Sequence, residues 1–112
     1  MDITNDPAAT PEQRIEALRA GVADEHFPSW VPESNNHIHT CFSFSPYTPT
    51  HAALLARRNG LRVVGSVDHD SIGAAAEMSE ATRILGMGSV TGFEIRARFG
   101  EGTPLAQRKL NN

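Results

Sequence analysis

Clustered positive charge is missing from this sequence. Its ten basic residues, nine arginines and a single lysine, are scattered from Arg14 to Lys109 against 13 Asp and Glu, and no basic run is longer than two. A duplex-binding surface leaves a basic stripe, so nucleic acid is disfavoured as a partner. Long apolar runs are missing as well. Nothing approaches the roughly 20 residues of a membrane span, and the N-terminal stretch shows no basic segment followed by an apolar one, so the expectation is a cytoplasmic chain with no membrane partner. The one cysteine, Cys41, excludes an internal disulfide and agrees with a reducing compartment. With 112 residues, 39% of them hydrophobic, there is room for one small domain, which excludes a two-domain enzyme within these residues.

What is present falls into two stretches. Residues 1–34 form a polar leader rich in Asp, Asn, Pro, Ser and Glu, broken by one helical signal. Thr10 can cap the free amides, Pro11 suits the first helical position, and Gln13 can close a capping box. Ile15, Leu18 and Val22 then follow at helical spacing, predicting a short docking helix that ends near Gly21 to Asp24. Phe27, Pro28, Trp30 and Pro32 predict an extended segment anchored on something else.

From residue 35 onward, short β-like runs alternate with helical ones. A strand is expected over Asn35 to Thr40, a helix from Thr48-Pro49 to Asn59-Gly60, and a second strand from Leu61 to Val67. That second strand is almost continuously apolar, as in a parallel sheet. A helix from Ile72 to Leu85 closes at Gly86, and a third strand runs from Ser89 to Glu94, with a possible edge continuing through Ile95, Ala97 and Phe99. The tail from Glu101 to Asn112 has no periodicity and is expected to be frayed. The order β-α-β-α-β implies an α/β fold with parallel strands joined by right-handed crossovers.

Each expected strand ends in a potential metal ligand. His37 and His39 close the first, Asp68-His69-Asp70 the second, and Glu94 the third. In parallel α/β folds the C-terminal strand ends form one rim where ligands gather. Residues i and i+2 of a strand share a face, so a His-x-His pair can present two imidazoles to one ion. Imidazole with carboxylate suits Zn, Mn or Fe. Asp68 and Asp70 could orient His69 as acceptors or cap the following helix.

In this order and spacing, His37-Ile38-His39-Thr40, Val67-Asp68-His69-Asp70 and Gly92-Phe93-Glu94-Ile95 resemble the opening motifs of the polymerase-and-histidinol-phosphatase (PHP) metallohydrolases. The resemblance covers roughly residues 35–99. It implies a distorted (βα)7 TIM-like barrel, of which these residues would form the first three strands with their alternating helices, and a centre of two or three divalent ions that cleaves phosphate esters. It also implies metal ligation by His37, His39, His69 and Glu94, with Glu94 bridging and Asp68 supporting from the second rank. A small phosphorylated molecule is the implied substrate.

The sequence departs from the family in two ways. Many members carry a further Asp or His soon after the first motif, but no carboxylate or imidazole occurs between Thr40 and Thr50. Cys41 reads better as a small buried residue than as a ligand, and His51 sits in the first turn of a helix. A barrel of this type also takes on the order of 200 to 250 residues, so residues 35–112 are expected to be the N-terminal part of a PHP-like domain. A missing C-terminal part, or an oligomer partner, would complete the site. Two other functions compete with a phosphoesterase: a non-catalytic accessory module that binds metal, and an exonuclease-like domain acting on nucleic acid ends. Net charge −3 and the lack of interleaved aromatic and basic residues disfavour the last. Arg57, Arg58 and Arg62 read as solvated charges near a helix end rather than as phosphate anchors.

Overall fold

The computed structural model describes residues 2–42, 45–69, 72–94, 96–98 and 109–111. A 3-10 turn at Ile3–Asn5 precedes helix α1 (Pro11–Val22), strand β1 (Ser34–Ile38), helix α2 (Pro49–Arg58), strand β2 (Val63–His69), helix α3 (Ala75–Leu85) and strand β3 (Gly88–Glu94). Two short strands, β4 (Arg96–Arg98) and β5 (Lys109–Asn111), follow. The first three strands form one sheet in the order β1-β2-β3, parallel throughout. The fold is mixed α/β with alternating helices, as the periodicity predicts. None of the described helices is long and apolar enough to cross a membrane.

Local chemistry accounts for the helix boundaries. Thr10 and Gln13 form the expected capping box, with Gln13 N donating to Thr10 Oγ1 at 3.1 Å and Thr10 N to Gln13 Oε1 at 2.8 Å. Thr48 caps α2 by accepting from His51 N, with Pro49 in the first turn. Gly86, with φ 74°, closes α3 in the left-handed region that suits glycine. The α3 start corrects the expectation at Ile72: the helix begins at Ala75, and Ile72 is exposed. Gly73 lies in the intervening turn, closed by Ala75 N donating to Ile72 O, and glycine is a poor opening residue for a helix. The tail needs a second correction. Residues 109–111 pair antiparallel with β4, so the expected edge beyond Glu94 becomes part of a separate two-stranded sheet.

Both crossover helices pack on one side of the parallel sheet. The core there joins Ala52, Ala53 and Ala56 of α2, Met78, Ala81 and Leu85 of α3, and Val64 of β2, with Ile15 and Leu18 added from α1. Alanine at 53 and 81, both fully buried, lets two helices come close without leaving a void. The short docking helix is thus part of the core packing.

Polar groups lock this layer. Glu77 of α3 accepts from Arg14 Nε at 2.8 Å and Nη2 at 2.6 Å, and from Thr50 N and Oγ1 of α2. Arg14 in turn donates to the carbonyls of Asp6 and Ala9. One buried ion pair therefore ties three helices. The extended segment after α1 is anchored as well: Arg57 lies 3.8 Å from the Trp30 ring centre and 4.9 Å from that of Phe27, and donates to Pro28 O. Arg58 makes two bonds to Glu25. These arginines stand at the exposed end of α2, as expected, and there they also clasp residues 25–30.

Candidate metal centre

The C-terminal rim of the sheet begins with an irregularity. The β1-β2 register pairs Ser34 with Val63 and Asn35 with Val64, then slips before Ile38 meets Ser66. Such a bulge leaves a backbone amide outside the ladder and re-aims the residues after it. Asn35 compensates by accepting from His37 N through Oδ1 at 3.1 Å. Ile38 joins the core on the helix side. His37 is exposed and His39 half-buried, and their rings stand edge to face with centroids 5.1 Å apart. The pair therefore occupies one side of the chain, as the i, i+2 spacing predicts.

The register extends this arrangement to the neighbouring strands. Ser66 and Asp68 of β2 share the helix side with Val64 and are each 1% exposed. Position 69 falls on the alternate face, with Gly65 and Val67. His69 and Glu94 are direct partners in the β2-β3 ladder. The positions of His37, His39, His69 and Glu94 thus come to the same end of the sheet and the same face. The side chains of His69 and Glu94, and all of Asp70, lie outside what the structure describes. Among the described residues, no group of three His, Cys, Asp or Glu is gathered closely enough to hold an ion.

Asp68 has described partners that the sequence does not reveal. Its Oδ1 accepts from Thr40 N at 2.6 Å and its Oδ2 from Thr40 Oγ1 at 2.8 Å. Thr40 is fully buried, one residue past His39. No local periodicity pairs residues 28 positions apart through a side chain, so neither Thr40 nor Asn35 stands out as a site residue. The one available signal is that Thr40 follows His-x-His directly.

The two remaining candidates from the loop and helix are placed elsewhere. Cys41 is half-buried, and burial pushes its thiol up, only partly offset by the Arg14 charge. His51 faces the N-terminal turn, with Nδ1 3.0 Å from Thr4 Oγ1 and 3.7 Å from an Asp2 carboxylate oxygen. Burial lowers its pKa, with Asp2 opposing. A groove of about 600 Å³ lies between the N-terminal turn and α1 along Ile3, Ala8, Gln13 and Ala17, and none of the candidate ligands lines it.

With this geometry in place, comparison with known proteins adds one finding. The chain is similar to a solved structure. That structure is of a presumed metal-dependent phosphoesterase from Bifidobacterium adolescentis, with 29% sequence identity and a TM-score of 0.61. The match covers 77% of this chain and 27% of that one, so the chain spans about a quarter of its length. No protein-family model matches the chain, and no curated protein does either.

Proposed function

We propose that the C-terminal rim of the parallel sheet is part of a metal-dependent phosphoesterase centre of PHP type, within a partial TIM-like barrel. The observation that carries this reading is the His37–His39 ring pair, placed on the same sheet face and at the same end as the His69–Glu94 register pair. The likeness to a presumed phosphoesterase supports it. The donor types fit the group: three imidazoles and a carboxylate suit Zn, Mn or Fe. His37, His39, His69 and Glu94 would hold the ion, and the substrate would be a small phosphate ester. A divalent cation there supplies Lewis-acid polarisation of phosphoryl oxygens and activation of the attacking water.

This chain's residues do the holding and orienting. The Asn35 bond at the bulge fixes the backbone at His37, and the open rim leaves that ring accessible to a ligand. Four donors can seat one ion, whereas a hydrolytic cluster of two or three needs more. The remaining donors would come from structure outside these 112 residues, either a continuation of the chain or a partner. A module that binds metal without turnover is therefore the expected behaviour of these residues by themselves.

Titration of Mn or Zn into the chain, with His37→Ala and His39→Ala as comparisons, tests this. Saturable binding that either substitution weakens at least tenfold is expected, together with no measurable hydrolysis of a simple aryl phosphate. Equal affinity in all three proteins would overturn the assignment. Robust metal-dependent turnover by the 112-residue chain would overturn the need for outside donors.

A further inference from the structure

We infer that Asp68 and Thr40 form a positioning clamp that sets where His39 stands relative to the β2 rim; the inference rests on the metal-centre reading above. The last ladder contact of β1 is Ile38 with Ser66. Beyond it the chain leaves the sheet. Thr40 is the next residue held, and it is held from β2: its amide and its hydroxyl both donate to the one carboxylate of Asp68. His39 lies between two fixed points, Ile38 packed against the core and Thr40 fully buried against Asp68. With both neighbours drawn to the helix side, residue 39 is left on the side of His37, where the two rings meet.

The same carboxylate belongs to the residue directly before His69. One side chain thus couples the ends of β1 and β2, and the separation between positions 39 and 69 follows from it. The chemistry calls for a carboxylate. Thr40 presents two donors, an amide N–H and a hydroxyl, and a carboxylate can accept both. An asparagine offers one acceptor oxygen and an NH2 group, so the Thr40 hydroxyl would have to turn a lone pair to the NH2 and leave its own hydrogen without that acceptor in a fully buried site. The Thr40 hydroxyl also accepts from Phe42 N at 3.3 Å, so the clamp starts the turn of the following loop. Neither residue needs to touch an ion. Each acts through the backbone of the histidine beside it.

The test is Mn affinity by chelator competition in the full chain, measured below the unfolding onset of each variant, alongside thermal melting. Asp68→Asn and Thr40→Val are each expected to weaken Mn binding about 10- to 100-fold, and Thr40→Ser to restore it to within about threefold, the range seen when groups supporting metal ligands are removed. The double variant should be little worse than either single one, because both remove the same contact. Lower melting temperatures with unchanged Mn affinity in the folded variants would overturn the clamp and leave a purely structural bond. If Asp68→Asn does not fold, Thr40→Val decides alone, since it deletes one hydroxyl from a residue of the same shape; wild-type affinity there overturns the inference. Failure of the unsubstituted chain to bind Mn overturns both this clamp and the phosphoesterase reading. Loss of binding in His39→Ala with normal binding in both clamp variants overturns the clamp alone.

Discussion

On the helix side of the parallel sheet, Val64, Ser66 and Asp68 are each no more than 1% exposed, and Val64 belongs to the core that the three helices share. On the other face Val90 is 50% exposed, and His37 stands in the open. The exposed Phe42, Tyr47 and Ile72 follow β1 and β2, beside the rim that carries the histidines. One face is a closed core, whose buried polar groups among the described residues are paired, Ser66 apart. The second presents Val90 and the His37 ring to the open. The comparison teaches that the buried packing and the proposed ligand positions lie on opposite faces of three strands, with Asp68 on the buried face bonded to Thr40 beside the histidines.

The largest effect expected on that division comes from the buried ion pair. Arg14 and Glu77 side chains are 5% and 4% exposed, so Glu77→Ala leaves a guanidinium in the core. Removing one partner of such a pair costs about 3 to 5 kcal/mol. His37→Ala on the open face should stay within about 0.5 kcal/mol, as surface changes do. Urea titration of both variants checks the contrast, and equal losses would erase it. Acid sharpens the same point. Burial would raise the Glu77 carboxyl, but the bonds from Arg14 and then Thr50 outweigh it and hold its pKa below the ordinary glutamate value. A depressed carboxylate contributes stability that is present above its unfolded pKa of about 4.3 and is lost as pH falls through the folded value. The melting temperature should therefore drop below about pH 4 in the parent, and much less so in a Glu77→Gln variant that still folds.

A middle-sized effect is expected at Gly60, where α2 ends. Its φ is 79°, and a Cβ there would lie 2.7 Å from Ser29 O and 3.4 Å from a Val31 methyl group. The clasped segment 25–31 passes over this glycine, and Val31 N donates to its carbonyl at 2.8 Å. Gly60→Ala should cost about 1 to 3 kcal/mol, through the left-handed conformation and the backbone overlap together. Gly86→Ala serves as the control, since it shares the positive φ but has nothing within 4 Å of the added carbon. If both substitutions cost the same, the close approach of the segment contributes nothing.

How far the sequence foretells this division depends on the range of the interactions. Thr10 with Gln13, Thr48 with Pro49, and Gly60 announce their helix ends because capping is local. The apolar run through β2 and the His-x-His period are local as well, and they predict the parallel sheet and the face shared by His37 and His39. The β1 bulge at Asn35, the Thr40–Asp68 clamp and the Arg14–Glu77–Thr50 network are illegible, because each joins side chains to partners whose nearness exists only after folding. The late start of α3 follows from Gly73, whose weak propensity competes with the apolar pattern around it. Residues 109–111 show no alternation and gain a strand only through pairing with β4. The metal-ligand reading of His69 and Glu94 rests on motif spacing and register.

The smallest effect expected is a gain, at Ser66. This residue sits mid-strand in β2, between Thr91 of β3 and Ile38 of β1 in the ladder, on the core side with Val64. It is 1% exposed, and its hydroxyl is the one buried side-chain oxygen or nitrogen among the described residues that meets no hydrogen-bond partner. A hydroxyl taken from water without compensation costs about 1 to 3 kcal/mol by mutational measures, while alanine at a strand centre gives back part of that through weaker β-propensity. Ser66→Ala should therefore stabilise the chain by about 1 kcal/mol, read as a higher urea midpoint with an unchanged slope. Because Ser66 faces away from His37 and His39, Mn affinity should not change. A loss of stability on substitution would mean that the hydroxyl has a partner in solution. A change in Mn affinity would mean that the two faces are not separate, and that the rim responds to packing beneath it by a route other than Asp68.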